Sequence, residues 1–400
     1  MLITRTDIDD AVAALAPVMR RTPLVASRVL SERSGCEVWL KCENLQRTGS
    51  FKPRGAYLRI SRLAPDERAR GVVAASAGNH AQGVAWSATE LGIPSRVYMP
   101  TGASLPKIAA TKAYGAEVVL EGSTVDEALV AAKRYAQETG AALIHPFDHP
   151  DIVTGQATVG AEILQQMPDV SAVVVPLGGG GLLAGVAAAI KVQRPEVKVI
   201  GVQAADAAAW PRSIQQNRPV AAESMNTMAD GIAVAMPGEV PFEHVTAYVD
   251  SVVTVSEDML STALLTILER AKLVVEPAGA AGVAAMMAPE LADLSGKVCV
   301  VVSGGNIDPL LLTHVTTHGL TAAGRYLTVT ATISDRPGGL IAFLELLRDH
   351  GASVLDVVHS RVADDLYLDE VQVTVSVETR GHDHQRELRA ALADAGFLRG

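Results

Sequence analysis

Short apolar segments alternate with longer helical patterns from about residue 70 to residue 302. The first series of apolar segments is GVVAAS, SRVYMP, EVVLEG and AALIHPF, and the second is AVVVPL, KVIGVQA, VVTVS and KVCVVV. The stretch 257–288 is expected to form one long helical segment. Short strands that alternate with helices are typical of parallel sheets covered by helices on both faces. Two such series predict an α/β fold with two domains and a cleft between them.

The pattern changes near residue 325. Residues 326–400 predict a strand (YLTVTATI), a helix (DRPGGLIAFLELLRDHG), two strands (ASVLDVVHSRV and LDEVQVTVSVET) and a second helix (HDHQRELRAALADAGF). The preceding stretch, TTHGLTAAGR, has the composition of a linker. This strand–helix–strand–strand–helix order indicates a small independent domain.

The amino-acid composition limits the classes of protein to which this chain can belong. Hydrophobic residues make up 48% of the chain but aromatic residues only 4%, so the core must consist mainly of aliphatic side chains. The net charge of −10 and the lack of basic runs argue against a nucleic-acid partner. The three cysteines form no CxxC pair, so neither a disulfide framework nor a zinc site is expected. No signal peptide or membrane-spanning run is present, which predicts a cytoplasmic protein.

The first chemical motif surrounds Lys52 in NLQRTGSFKPRGA, residues 44–56. Gly49 and Ser50 favour a tight turn, and Pro53 disfavours a mid-helix conformation at Lys52. A lysine that is fixed in a cleft can react with an aldehyde, such as that of a cofactor. For this motif alone, a solvated lysine beside a turn would be the better interpretation.

The second motif, Ser76-Ala77-Gly78-Asn79-His80, lies between a predicted strand and a predicted helix. Backbone N–H groups at such a junction can bind a carboxylate, and Asn79 adds a side-chain donor. An ordinary helix cap explains the same residues equally well.

The third motif is Gly178-Gly179-Gly180-Gly181-Leu182, directly after the strand AVVVPL. The glycines allow the backbone to wrap an anion at the start of the next helix. The spacing fits neither of the common nucleotide-binding glycine motifs, so a phosphate without a nucleotide is favoured.

The fourth motif, Ser303-Gly304-Gly305-Asn306, follows the strand VCVVV. It places a neutral hydroxyl at the strand end where α/β sheets bind ligands. Alone it would be interpreted as a turn. Together, the four motifs provide an aldehyde-capturing lysine, a carboxylate loop, a phosphate loop and a hydroxyl, which indicates pyridoxal phosphate acting on an amino acid.

The stretches TGSFKPRGA, SAGNHAQG, GGGGL and SGGN resemble, in this order, the fold-type II (tryptophan synthase β-like) pyridoxal-phosphate enzymes and, more narrowly, the threonine ammonia-lyases. Residues 326–400 resemble an ACT domain, a ferredoxin-like βαββαβ module that binds amino acids. The resemblance implies a catalytic domain over residues 1–320, in which a smaller subdomain of about residues 48–145 is inserted into the larger one. It also implies a linker at 321–325 and a regulatory domain at 326–400.

The resemblance implies a role for each motif residue. Lys52 would bind the cofactor covalently and then act as the base on the substrate Cα. Phe51 would pack against the pyridine ring, Asn79 would donate to its hydroxyl, and Ser303 would face its nitrogen. Gly231 and Glu276 match positions near the cofactor, the role of Glu276 being open.

The resemblance also implies residues for three ligands. The cofactor phosphate would be bound by Gly178, Gly179, Gly180, Gly181 and Leu182, and the substrate carboxylate by Ser76, Asn79 and His80. An effector would be bound by Asp335, Arg336, Pro337 and Gly338. Ala77 stands where the serine racemases of this fold have a serine, so little racemisation is expected. Gln203 stands where those relatives have a metal-binding glutamate, so no metal is expected.

The implied reaction is the dehydration and deamination of L-threonine to 2-oxobutyrate and ammonia, in isoleucine biosynthesis or threonine catabolism, with a side activity on L-serine. A homo-oligomer (dimer or tetramer) is expected, and isoleucine is the expected inhibitor of a biosynthetic enzyme. One alternative is an L-serine or 3-hydroxyaspartate dehydratase with the same motifs. Another is a non-catalytic amino-acid sensor, which the intact Lys52 and phosphate loop argue against.

Overall fold

The computed structural model describes residues 1–362 and 366–398. The chain forms two compact units, Met1–Leu312 and Thr313–Gly400. Among the described residues, no helix has the length and apolar content that a bilayer span requires.

The first unit contains two sheets that are built almost entirely from parallel strands. Its strands are β1 (Leu24–Ala26), β2 (Glu37–Cys42), β3 (Val72–Ala75), β4 (Ser95–Met99), β5 (Glu117–Leu120), β6 (Ala142–Leu143), β7 (Val170–Pro176), β8 (Lys198–Ala204), β9 (Ser251–Val255) and β10 (Lys297–Val302). The six-stranded sheet has the order β1-β2-β10-β7-β8-β9, and the four-stranded sheet has the order β5-β4-β3-β6. The β1–β2 pair is antiparallel and the other pairs are parallel. The two strand series that the sequence predicts therefore form two separate sheets.

Helices cover these sheets. They are α1 (Arg5–Leu15), α2 (Arg28–Ser34), α3 (Lys52–Ser61), α4 (Pro65–Arg70), α5 (Asn79–Glu90), α6 (Leu105–Ala113), α7 (Val125–Thr139), α8 (Pro150–Gln166), α9 (Gly181–Lys191), α10 (Trp210–Gln215), α11 (Glu239–Tyr248), α12 (Glu257–Thr266) and α13 (Pro277–Met286). The next helix, α14 (Pro309–Ala322), begins in the first unit and lies mostly in the second. The core of the large sheet is mostly Val, Ala, Leu and Ile, and β7 and α9 are almost completely buried within it. Burial of this aliphatic surface is the main force that holds the unit together.

The expectation of one helical segment over 257–288 is wrong. Helix α12 ends at Thr266, a short π-helical turn follows at Ile267–Ala271, and Lys272 has a positive φ of 58°. Helix α13 begins only at Pro277, because a proline lacks the N–H of a helix interior and disfavours helical geometry at the residue before it. Glu276 is therefore extended, with φ −83° and ψ 159°.

A second difference concerns the stretch TTHGLTAAGR, for which the sequence suggests a linker. Helix α14 continues through most of this stretch and ends at Ala322. One glycine in a helix costs only about 1 kcal/mol relative to alanine, so Gly319 does not interrupt it. Gly324 then has a positive φ of 68° and precedes the next strand.

The second unit contains β11 (Tyr326–Ser334), α15 (Gly339–Asp349), β12 (Ser353–Ser360), β13 (Glu370–Glu378) and α16 (His382–Asp394). The strands form an antiparallel sheet in the order β11-β13-β12. Buried residues of β11 and β13 pack with Phe343 and Leu347 of α15 and with Leu388 and Leu392 of α16.

The last strand of a βαββαβ order is not formed by the described residues. Helix α16 ends at Asp394, and residues 395–398, the described residues that follow it, form no strand. Phe397 instead packs edge-on against Phe343, with 5.2 Å between the ring centroids. Its carbonyl accepts a single hydrogen bond, from Thr332 N–H at 2.9 Å. The ferredoxin-like expectation therefore fits this unit only as far as α16.

Candidate active site

A cleft of about 650 Å³ in the first unit is lined by residues that follow strands of both sheets. Ser76 follows β3 of the four-stranded sheet, whereas Gly178 and Ser303 come after β7 and β10 of the six-stranded sheet. All four motifs reach this cleft: Phe51 and Lys52, Ser76 to His80, Gly178 to Leu182, and Ser303. Gly231 and Glu276 line it as well. The structure thus brings together segments that lie far apart in the sequence.

A second, more open depression of about 840 Å³ lies around α10. It is lined by residues such as Arg212, Gln215 and Glu223, and by none of the motif residues. Because Arg212 and Glu223 are ion-paired at 2.7 Å on the surface, each already neutralises the other's charge. The smaller cleft is the better candidate for an active site.

Lys52 is the first residue of α3, and Pro53 occupies the next position, where a helix tolerates proline. The Lys52 Nζ donates a hydrogen bond to Pro146 O at 3.0 Å and lies 5.1 Å from the centroid of the Phe51 ring. Burial lowers the pKa of Lys52 to about 8, although the carboxyl of Glu276 opposes this shift. A lysine with such a pKa is partly neutral near pH 7 and can act as a nucleophile or a base.

The loop before Lys52 is fixed to the segment that carries Ser303. Phe51 N–H donates to Ser303 O at 3.1 Å, and Gly305 N–H donates to Gly49 O at 2.9 Å. Thr48 and Gly49 both have positive φ, at 58° and 73°. A side chain at residue 49 would also collide with the Asn306 amide. The tight turn therefore depends on glycine and places the lysine next to Ser303.

In the glycine loop, residues 178–182, backbone C=O groups have hydrogen-bond partners, whereas the N–H groups have none in the described part of the chain. Its carbonyls are occupied: Gly178 O accepts from Trp210 Nε1 at 2.7 Å, Gly179 O from Gly238 N–H at 3.1 Å, and Gly180 O from Ala184 N–H at 2.8 Å. Among the described residues, the N–H groups of 178–182 have no hydrogen-bond acceptor. They lie at the N-terminus of α9, where the helix dipole adds positive potential. This arrangement suits a phosphate.

Gly180 offers a direct test of this loop. It has a φ of 100°, and a Cβ there would lie 2.5 Å from the Trp210 indole that holds Gly178 O. We expect Gly180→Ala to weaken cofactor binding at least about tenfold, since left-handed geometry alone costs an L-residue about 1–2 kcal/mol. Fluorescence titration of the apoprotein with the cofactor measures the Kd. Gly102→Ala is the control, because a Cβ at Gly102 meets no atom within 4 Å. Equal affinities of the two variants would contradict this role of the loop.

The second motif forms the N-terminus of α5. The N–H groups of Ala77, Asn79 and His80 have no hydrogen-bond acceptor among the described residues, which leaves them available to a carboxylate. Ser76 Oγ accepts from Gly78 N–H at 3.1 Å and thereby shapes the turn. His80 Nε2 lies 2.8 Å from Ile144 O and must carry a proton to bond with it. Burial lowers the pKa of His80 to about 3, so its ring adds no positive charge.

Asn79 and Glu276 form a polar pair in the cleft. Asn79 Nδ2 donates to Glu276 Oε1 at 2.6 Å. Burial raises the pKa of Glu276 to about 7, and nearby Asp230 acts in the same direction. Asp230 is in turn ion-paired with Lys107 at 3.0 Å, and both residues line the cleft.

Sequence reasoning gave no role to several residues of the site. Lys107 and Asp230 have no recognisable motif, although Asp230 directly precedes Gly231. His145 Nδ1 accepts from Asp148 N–H at 2.8 Å, which leaves the ring proton on Nε2 in the neutral form. Asn306 lies within the fourth motif, which could have directed attention to it, but its contacts depend on the fold.

Comparisons with known proteins identify the family to which this chain belongs. The family model described as pyridoxal-phosphate dependent enzyme matches residues 15–304, and the chain belongs to this family. It is 47% identical, over 397 residues, to an L-threonine ammonia-lyase of Thermotoga maritima; the match covers 99% of this chain and 98% of the relative.

Two solved structures are similar to this chain over most of its length. The processed form of threonine deaminase isoform 2 from Solanum lycopersicum has a TM-score of 0.75 and 36% identity, over 79% of this chain and 94% of that one. Maize serine racemase has a TM-score of 0.76 and 33% identity, over 80% and 99%. These likenesses establish the fold-type II architecture that the sequence predicts.

The chain is thus a pyridoxal-phosphate-dependent enzyme, and the residues of the cleft fit this cofactor. Its phosphate matches the free N–H groups of the glycine loop at the start of α9. Its aldehyde requires a primary amine that is partly neutral, which the buried Lys52 provides. The fit therefore rests on groups that the cleft already contains, which are backbone N–H donors for the phosphate and a primary amine for the aldehyde.

Proposed function

We propose that this chain is a threonine ammonia-lyase that converts L-threonine to 2-oxobutyrate and ammonia. One observation carries the proposal: the buried amine of Lys52 shares a cleft with a phosphate-type loop and a carboxylate-type helix N-terminus. The 47% identity over 99% of the chain to the Thermotoga maritima enzyme supports threonine as the substrate.

The cofactor would be held by groups that differ in chemistry. The N–H groups of Gly178 to Leu182 would bind its phosphate, and Lys52 Nζ would bond to its aldehyde carbon. Asn79 would donate to the ring hydroxyl, Ser303 would face the ring nitrogen, and Phe51 would pack against the ring. When bound, pyridoxal phosphate supplies a conjugated ring that withdraws electrons from the substrate Cα.

The substrate would be oriented and deprotonated by residues of the chain itself. The N–H groups of Ala77, Asn79 and His80 would bind its carboxylate, together with Ser76, which shapes their turn. Lys52, once free of the aldehyde, would remove the Cα proton as a neutral amine. Its lowered pKa favours this role because less free energy is needed to have the amine unprotonated near pH 7.

The pKa of Lys52 predicts how cofactor capture depends on pH. We expect the rate at which the apoprotein captures pyridoxal phosphate to rise with pH and level off above about 8, since only the neutral amine attacks the aldehyde. Stopped-flow absorbance across neutral and alkaline pH measures this rate. A rate that still rises tenfold per pH unit well above the pKa of Lys52 would instead indicate an unperturbed, solvated lysine, whose pKa is about 10.4.

A substrate panel separates threonine from the alternatives. The cleft wall includes the apolar Leu129 and Met225, whereas Asp126, Asp230 and Glu276 bring acidic groups to it. A second carboxylate, as in 3-hydroxyaspartate, would be disfavoured by the apolar wall and by Asp126, while Lys107 is already paired with Asp230. We expect kcat/KM for L-threonine to exceed that for L-serine and, by more, that for 3-hydroxyaspartate. A preference for either competitor would change the substrate assignment, and formation of D-serine would contradict the interpretation of Ala77 as the loss of a racemase residue.

We also propose that residues 326–400 form an ACT-type regulatory domain after a catalytic domain at 1–320, with a smaller subdomain at about 48–145. Two helices that pack on an antiparallel sheet support this. The effector would bind at the turn Asp335–Gly338, where Asp335 pairs with Arg361 at 2.9 Å. We further propose that the protein is cytoplasmic and forms a homo-oligomer.

Isothermal titration of the full chain with L-isoleucine tests the regulatory role. Binding that Asp335→Ala weakens, together with slower threonine turnover at saturating isoleucine, would support a biosynthetic enzyme under feedback control. Absence of isoleucine binding would remove this effector and favour a catabolic role.

A further inference from the structure

Asn306 connects three separate segments of the active site. Its Nδ2 donates to Thr48 O at 2.6 Å and to Asn79 Oδ1 at 2.7 Å. Asn79 Nδ2 in turn donates to Glu276 Oε1 at 2.6 Å. The resulting chain of hydrogen bonds runs from the lysine loop, through Asn306 and Asn79, to the residue that precedes α13.

The orientation of the Asn306 and Asn79 amides follows from the hydrogen bond to Thr48 O, in which donor and acceptor are unambiguous. A backbone carbonyl can only accept, so the Asn306 atom that faces Thr48 O must be the NH2 group. The same NH2 group faces Asn79, so the Asn79 atom next to it must be the carbonyl oxygen. Asn79 must therefore direct its own NH2 group toward Glu276, and one of the two hydrogens remains for the cleft.

Without Asn306 the orientation of Asn79 would be open. The pKa of Glu276 is raised to about 7 by burial, so this carboxyl can also be protonated near neutral pH. A protonated carboxyl can donate to the Asn79 oxygen as readily as an ionised one can accept from its nitrogen. Asn306 removes this choice, because it offers Asn79 only a donor.

The bond to Thr48 also holds a strained position of the lysine loop. Thr48 is β-branched and has a positive φ of 58°, a conformation such residues rarely adopt. Strain of this kind persists only where surrounding contacts enforce it, and it is concentrated at functional sites. Asn306 is thus placed to couple the geometry of the loop before Lys52 to the orientation of Asn79.

We infer that Asn306 is a positioning residue that makes Asn79 a permanent hydrogen-bond donor to the cofactor ring. The inference rests on the proposed role of Asn79 toward the ring hydroxyl. A donor stabilises the ionised form of that hydroxyl and so lowers its pKa. Asn306 is not among the residues that line the cleft, so its effect on the ring hydroxyl passes through Asn79.

The test is the absorbance spectrum of the holoenzyme without any amino acid, since a phenol-type hydroxyl absorbs at different wavelengths when neutral and when ionised. We expect Asn306→Ala to raise the ratio of the neutral to the ionised form about tenfold at a given pH, which corresponds to one unit of pKa. The readout requires no turnover, so it does not depend on whether threonine is the substrate.

Asn44→Ala is the matched control. Asn44 is buried and donates one side-chain bond to a backbone carbonyl, Val274 O at 3.1 Å, but has no bond to Asn79. We expect Asn44→Ala to lose a comparable amount of stability to Asn306→Ala while its absorbance spectrum stays unchanged. If Asn306→Ala does not fold, Asn306→Leu keeps most of the side-chain volume but removes the NH2 group that bonds Thr48 O and Asn79 Oδ1. Spectra of the Asn306 variants that match the Asn44→Ala spectrum would overturn the inference, whatever their activity.

Discussion

Lys52→Ala is expected to reduce turnover of L-threonine by at least about 10³-fold, because one side chain both binds the cofactor aldehyde and accepts the Cα proton. The fold should persist, since the Lys52 side chain makes one hydrogen bond among the described residues, to Pro146 O, and its removal also relieves the burial of an amine. Keto-acid release measures turnover, and circular dichroism measures the fold. The bound cofactor should also lose its covalent link and be removable by dialysis.

Two controls make this experiment specific. Lys112→Ala removes an exposed lysine of α6 and should leave turnover and cofactor retention unchanged. Lys52→Arg keeps a cation but provides no amine for the aldehyde, and it should be as inactive as Lys52→Ala. Substantial turnover by either Lys52 variant would refute the assignment of this residue.

The second large effect is expected for Arg54, two residues after Lys52. Its guanidinium forms two 2.8 Å bonds to Glu43 and one 2.7 Å bond to Glu162, and both Arg54 and Glu43 are almost completely buried. We expect Arg54→Leu to lower the free energy of unfolding by about 3–5 kcal/mol, because it leaves a buried carboxylate without its partner. Urea unfolding followed by tryptophan fluorescence reports on the first unit, which contains Trp39, Trp86 and Trp210.

The pH dependence of this loss follows from the pKa of Glu43. Burial alone would raise this pKa, but the Arg54 guanidinium lowers it below its usual value. In the natural chain Glu43 therefore stabilises the fold above its unfolded pKa, and this stabilisation disappears as the pH falls through its folded pKa. In Arg54→Leu the carboxyl would be neutral to higher pH, so the difference from the natural chain should shrink as the pH is lowered from neutral toward about 4.

The surface pair Arg212–Glu223 provides the matched control. Arg212→Leu breaks an ion pair of similar length, 2.7 Å, whose partners are 48% and 83% exposed. It should cost less than about 1 kcal/mol, as exposed pairs do. If the two arginine variants lose the same stability, the buried ion pairs of Arg54 contribute no more than an exposed pair.

Local patterns in the sequence predict the strands of the first unit from residue 70 onward. The runs that form β3, β7 and β10 are short, apolar and followed by helices, which fixes their parallel arrangement. The same patterns predict that Gly178 and Ser303 lie at one ligand-binding edge, since the carboxyl ends of parallel strands are where such sheets bind ligands. The place of Lys52 is predicted only from its motif and from the family resemblance.

Contacts between distant segments are what the sequence does not reveal. Asn306 and Asn79 are 227 positions apart, and Lys107 and Asp230 are 123 apart, so no local pattern relates them. The sequence does not reveal the end of α12, because residues 257–288 are helix-compatible except for Pro277 and its neighbour. It also does not reveal that α14 continues to Ala322, because the glycines and threonines before β11 suggest a loop.

The central claim is tested most directly by incubating the purified, cofactor-loaded chain with L-threonine and measuring 2-oxobutyrate and ammonia in the same reaction. We expect both products, in equal amounts and in proportion to enzyme concentration. Neither product from fully loaded enzyme, or ammonia without the keto acid, would contradict the assignment of this chain as a threonine ammonia-lyase.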